Sequence, residues 1–162
     1  MTARRSAVVV VAAVLILLAA AGGVAALVSR HQNLVAQESN RAEVMRVASD
    51  QAVAMLSYEH DTVDDQLAAA SSGLTGDFRQ QYDTLVREAV APSAKEKSID
   101  TAVTVAGSSV VSLSDETATV LLFLDQVTTS ADTPTPTTTG SRVTVDLTEV
   151  DGAWAVSGLT PV

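Results

Sequence analysis

Between Ala7 and Val28 the chain reads AVVVVAAVLILLAAAGGVAALV, twenty-two consecutive residues without a charged or strongly polar side chain. A helix rises about 1.5 Å per residue, so this run is long enough to cross the ~30 Å hydrocarbon core of a bilayer. A segment apolar on every side cannot serve as the one-faced helix of a soluble surface. Arg4, Arg5 and the terminal amine precede it and Arg30 alone follows, a bias that places residues 1–6 in the cytoplasm and the rest outside. The competing reading is a cleaved signal peptide ending at Ala19-Ala20-Ala21 or Val24-Ala25-Ala26. Cleavable signals have apolar regions of about 7–15 residues, so the length favours a retained single-pass anchor at residues 7–28. Gly22-Gly23 read as tolerated small residues, because the Gly-xxx-Gly spacing of a helix-pairing contact is missing.

The formal charge of −9 is unevenly placed. No acid precedes residue 31, so residues 31–162 hold seven basic against nineteen acidic residues, a balance of −12. A domain of that sign repels phosphate backbones, which argues against a nucleic-acid partner. The absence of cysteine removes disulfides, thiolate zinc sites and cysteine nucleophiles together. An extracytoplasmic domain of this length must then be held by its hydrophobic core.

Residues 29–43 are mostly polar and read as a helical stalk, with residues 44–162 as the extracytoplasmic domain. A helix is expected over residues 32–61. Within it Val44, Val47, Ala48, Gln51, Ala52, Met55 and Leu56 recur at three- and four-residue spacing and predict one buried stripe. Glu43, Arg46, Asp50 and Glu59 fall mainly on the other side. Asp61-Thr62 interrupt the pattern, Asp64 to Ala70 makes a short second helix, and Ser71-Ser72-Gly73 ends it. Thr75 is placed as the N-cap of a third, with Asp77 in the first turn where the helix dipole favours an acid. Phe78, Tyr82, Leu85 and Val86 form its apolar face, and Pro92 is expected to close it near Val90. Beyond Pro92 the periodicity becomes alternating. Ile99 to Leu113, Thr117 to Thr129, Arg142 to Val150 and Ala153 to Leu159 read as strands. Ser114-Asp115-Glu116 and Asp151-Gly152 are hairpin turns, Gly107 marks a bulge, and Ser130 to Ser141, with its TPTPTTTG, reads as an exposed, mobile loop. Three helices followed by four strands imply an α+β domain, its helices packed on one face of a curved four-stranded antiparallel sheet.

The segment Ser57 to Tyr82, SYEHDTVDDQLAAASSGLTGDFRQQY, resembles the Mce-associated membrane proteins of actinobacteria, accessory proteins of the Mce lipid-import systems. The shared features are an anchored N-terminus, a Tyr followed by paired Asp residues, the word Leu74-Thr75-Gly76-Asp77-Phe78, and a late Trp at Trp154. The resemblance implies a cystatin- or nuclear-transport-factor-like cone, helices wrapped by a bent sheet. Periplasmic assembly subunits of type IV secretion systems share that fold, so the fold leaves lipid import and secretion both open. The family carries no established catalytic residues, and the resemblance implies none here.

Tyr58, Glu59, His60, Asp61, Asp64 and Asp65 are the densest polar group. A His/carboxylate metal site needs more ligands at better spacing, and acids that end one helix and cap the next account for the cluster. A nucleophilic triad is equally short of parts: the histidines are His31 and His60, and no serine sits in a Gly-x-Ser-x-Gly elbow. The eight glycines are scattered and form no phosphate-cradling loop. The expectation is therefore no catalytic residues, no metal and no cofactor. Phe78, Tyr82, Phe123 and Trp154 either fill the core or line a cavity at the cone's mouth for a lipid or sterol-like ligand, with Tyr58 supplying a polar group. Thr144, Asp146 and Thr148 alternate with Val143, Val145 and Leu147, whereas Val120 to Leu124 is apolar on both faces and is either covered or meets a partner.

The expected function is that of an anchored, non-enzymatic accessory subunit that stabilises a cell-envelope complex through protein–protein contacts. The resemblance implies that this complex is an Mce-type lipid importer. A ligand-binding module and a secretion-system assembly subunit are the alternatives, and self-association is left open.

Overall fold

The computed structural model describes residues 38–162; the anchor expected at residues 7–28 and most of the stalk lie outside them. Among the described residues no helix is long and apolar enough to cross a membrane. Residues Arg41–Val162 form one compact unit.

Helix α1 covers residues 38–56. Its stripe packs as the periodicity demands, with Val44, Ala48 and Ala52 wholly buried and Met55 nearly so. Gln51 belongs to the same stripe for a polar reason: its amide donates to the Ala70 carbonyl and ties α1 to the end of the next helix. The helix stops at Leu56 instead of continuing to residue 61. The cause is a competing set of hydrogen bonds. Tyr58 N–H donates to the Thr101 carbonyl at 2.8 Å and the Tyr58 carbonyl accepts the Thr101 N–H at 2.8 Å, while Ser57 Oγ accepts the Val103 N–H at 3.0 Å. Extended pairing with a strand edge therefore replaces the last helical turn.

Helix α2 (Val63–Ser71) buries Val63, Leu67 and Ala70. Helix α3 (Gly76–Leu85) runs through a π-helical turn (Val86–Val90) into α4 (Ala91–Lys97). Thr75 is extended at the N-cap position, but its side chain makes no capping bond; its N–H goes to the Val156 carbonyl at 3.0 Å. Pro92 does not end the run. It falls in the first turn of α4, where a missing N–H costs little, and the wider π turn carries the chain across it, Ala91 N–H donating to the Val86 carbonyl. The run ends at Ser98, which adopts the left-handed conformation (φ 50°) and lets Ile99 N–H cap the Ala94 carbonyl at 2.9 Å.

The four strands are β1 (Asp100–Leu113), β2 (Thr117–Thr129), β3 (Thr137–Val150) and β4 (Ala153–Pro161). They pair antiparallel in sequence order. Thr137 to Gly140 extends β3 into what reads as loop, pairing with Thr128 to Asp125. Threonine is β-branched and suits a pleated surface, so the connection shrinks to residues 130–136. Bulges skip Ala106 and Val111 in β1 and Ser157 in β4, bending the sheet. Asp151 and Gly152 both take positive φ, 52° and 82°, as a tight two-residue hairpin requires.

The helices cover one face of this sheet. Val120, Leu122 and Leu124 of β2 and Val143, Val145 and Leu147 of β3 point into the core with Val103 and Val156. The sheet's edges are each touched at one point, β1 by Tyr58 and β4 by Leu74. The architecture is thus the expected α+β arrangement of three helical runs on a four-stranded antiparallel sheet.

Candidate functional site

Two surfaces of the sheet carry side chains in excess of what packing needs. The first is an inner pocket of about 370 Å³ between the helices and the sheet. Met55 and Leu56 reach it from α1, Leu67 from α2, and Phe78, Gln81, Tyr82 and Leu85 from α3. Val86 and Val90 come from the π turn, and Thr101, Gln126 and Leu159 from the sheet. Tyr58 closes one side. Tyr82 is buried, and its hydroxyl donates to the Met55 carbonyl at 3.2 Å, satisfying an end of α1. Burial pushes its phenol far above the ordinary tyrosine range, so it stays neutral and is no proton carrier near pH 7. Gln126 Nε2 donates to Thr128 Oγ1 at 3.3 Å, which sets its amide at the pocket wall. No lining side chain is charged.

The second surface is the outer face of the sheet. Side chains alternate along a strand, so the residues between the core positions of β2 point away from the helices. Leu121 is half-buried and Phe123 is 43 % exposed. In register Phe123 lies between Gly107 on β1 and Arg142 on β3. A Cβ on Gly107 would stand 3.8 Å from the Phe123 ring: the ring lies over the glycine at the bulge. Val127, also outward, is exposed. Asp146 accepts from Thr119 Oγ1 at 2.7 Å, so part of this face is polar and satisfied.

The five aromatic residues named from sequence therefore separate. Tyr58, Phe78 and Tyr82 converge on the pocket. Phe123 is not there; β-strand parity sends it to the opposite face, since its neighbours Leu122 and Leu124 are buried. Trp154 packs half-buried against the core at the start of β4, opposite Glu149, outside the pocket.

The polar cluster resolves into ion pairs. His60 Nδ1 lies 2.7 Å from Asp100 Oδ1, and the His60 backbone N–H donates to the same oxygen at 2.8 Å. Asp61 Oδ1 is 3.4 Å from Nε2. The hydrogen bond to Asp100, with the charges of Asp61, Asp100 and Glu59, raises the imidazole pKa. The His60 bonds lower that of Asp100. Asp64 pairs instead with Lys95 of α4, and Gln66 Oε1 accepts the Glu59 N–H at 2.8 Å. Among the described residues no group of three or more His, Asp or Glu side chains is placed to hold a metal. Asp100 lies forty residues from His60, and no local motif signals that pairing.

Several solved structures have this fold. An IcmL-like type IV secretion system protein from Legionella pneumophila superposes with a TM-score of 0.63 at 13% identity, covering 75% of this chain and 93% of that one. The periplasmic domain of DotI gives 0.62 at 18%, covering 74% and 92%. A nuclear transport factor 2-like superfamily protein from Salmonella enterica gives 0.53 at 7%, covering 75% and 91%. At these identities the likeness is one of fold. In sequence, the chain is 46% identical over 115 residues to "Uncharacterized protein Rv1362c" of Mycobacterium tuberculosis, covering 71% of this chain and 52% of that protein. It thus spans about half the length of that relative. It is 42% identical over 123 residues to "Outer membrane protein Rv1973" of the same organism, covering 75% and 76%. A family model described as "Uncharacterized protein Rv1363c/MT1408-like" matches residues 5–161, so the chain belongs to the Rv1363c/MT1408-like family.

Proposed function

We propose that this chain is a non-enzymatic accessory subunit of a cell-envelope complex, held by the anchor at residues 7–28 and docking to other subunits through the outer face of its sheet. The observation that carries this reading is Phe123: a large aromatic, 43 % exposed, on a central strand, beside Arg142 in register. Aromatic and arginine side chains dominate binding hot spots. An envelope setting is supported by the name of the relative Rv1973, an outer membrane protein. It is also in keeping with the similar fold of the DotI periplasmic domain. The sequence Ser57 to Tyr82 and its resemblance to Mce-associated proteins point to a lipid importer as the complex.

The test is extraction of tagged full-length protein from its native host, wild type and Phe123→Asp side by side, with mass spectrometry of what accompanies each. Lipid-import subunits are expected with the wild type and should be depleted about tenfold or more by the substitution, as loss of a hot spot of ~2 kcal/mol or above implies. Secretion-system subunits in their place would replace the pathway. Equal recovery with both forms would overturn the docking face.

A further inference from the structure

The inner pocket is more than a packing defect. Its floor is made by side chains already in the core, Met55, Leu67 and Tyr82, all buried, and by Thr101, also buried. Its mouth carries Leu85, which is 55 % exposed, and Gln81. One wall, Val86 and Val90, is supplied by the π turn, the kind of interruption that recurs at functional sites in helices. Pro92 follows in the first turn of α4. A plain α-helix would present different residues to this wall.

The chemistry of the lining restricts what can enter. A carboxylate or phosphate would find no cation among these residues, in a chain whose residues 31–162 balance to −12, and burying it unpaired is costly. A cationic group would find no acid in the lining. What the wall does offer is hydrogen-bonding capacity: the amides of Gln81 and Gln126 and the hydroxyls of Tyr58 and Thr101. The Tyr82 hydroxyl is already committed to Met55. At a water's share of about 30 Å³ per non-hydrogen atom, 370 Å³ has room for roughly a dozen. We infer that this pocket binds a neutral single-chain lipid, an alcohol or ester with a saturated chain of medium length, its chain against Met55, Phe78, Leu85 and Val86 and its oxygen toward the two glutamine amides. The inference is independent of the outer-face docking reading, because it uses the opposite side of the sheet.

The experiment uses the full chain in phosphatidylcholine nanodiscs. The probes are a diazirine-bearing dodecanol and the corresponding dodecanoate, with crosslinked peptides mapped by mass spectrometry. The alcohol should label residues 55–58 and 78–90, and the carboxylate should label them about tenfold less, reflecting its uncompensated charge. Two variants keep the result decisive. Val90→Trp fills the wall, and Leu85→Gln changes an exposed mouth residue without touching the core. Both should cut labelling of these peptides severalfold, while Asp132→Asn, in the exposed connection between β2 and β3, leaves it unchanged. Labelling confined to residues 1–37, equal labelling by the two probes, or labelling that neither variant reduces would each overturn the assignment.

Discussion

Leu122 and Phe123 are neighbours on β2, and the structure sends them to opposite sides of the sheet. Leu122 is fully buried, whereas Phe123 is 43 % exposed. Truncating Leu122 to alanine removes about three carbon groups at ~0.8 kcal/mol each and leaves a cavity beside Val143, its partner on β3, for a cost of roughly 3 kcal/mol. Phe123→Ala removes a larger side chain, yet the space it vacates opens to solvent, so no cavity term applies. With only part of a ring's ~200 Å² covered, and an alanine retaining some of that, the cost is about 1–2 kcal/mol. The smaller residue should therefore be the more expensive one to truncate. Urea titration of residues 38–162, followed by far-ultraviolet circular dichroism, measures both differences on one scale. A one-residue slip of β2 would exchange the two faces. If Phe123→Ala proves costlier than Leu122→Ala, the register is wrong, and with it the outer-face docking surface.

The other expectations are narrower. The His60 pKa is raised and that of Asp100 lowered. The histidine's contribution is therefore full below its unfolded value of about 6.5 and fades as pH rises through the raised folded value; the aspartate's is full above about 3.8 and fades as pH falls through the depressed one. The stability of the wild type relative to His60→Gln should thus be greatest from about pH 4 to 6.5, and an advantage that grows above pH 7 in denaturation midpoints would contradict the pairing. Ser98 holds a left-handed conformation at the end of α4, so Ser98→Gly should raise stability by about 0.5–1 kcal/mol, seen as a higher urea midpoint at unchanged slope.

How much of this was legible in the sequence follows from the range of the interactions. Val143, Val145 and Leu147 against Thr144, Asp146 and Thr148 gave the faces of β3 directly, because alternation is local. Asp151-Gly152 announced its turn for the same reason, as did Gly107 its bulge. The periodicity overruns the end of α1 because Ser57 and Tyr58 are captured by Thr101 and Val103 of β1, more than forty residues away. The continuation past Pro92 is not legible locally, because proline reads as a stop wherever no π turn precedes it, and nothing in VREAV signals one. His60 looked like a lone histidine among acids until β1 brought Asp100 to it.

The same distinction explains why the site divided. Val120 to Leu124 is apolar throughout, so sequence alone allowed its residues to share one destination. Pairing with β1 and β3 on either side fixes the parity of β2 and forces the split. Leu122, Leu124 and Gln126 go toward the helices, the last of them to the pocket; Leu121 and Phe123 go to the outer face. One strand thereby supplies both candidate surfaces, and their side chains never meet. Substitutions at Phe123 and at Leu85 should consequently act independently. A double variant whose effects on subunit recovery and on lipid labelling simply combine is what separate surfaces require; strong coupling between them would mean that the sheet transmits a change of shape from one face to the other.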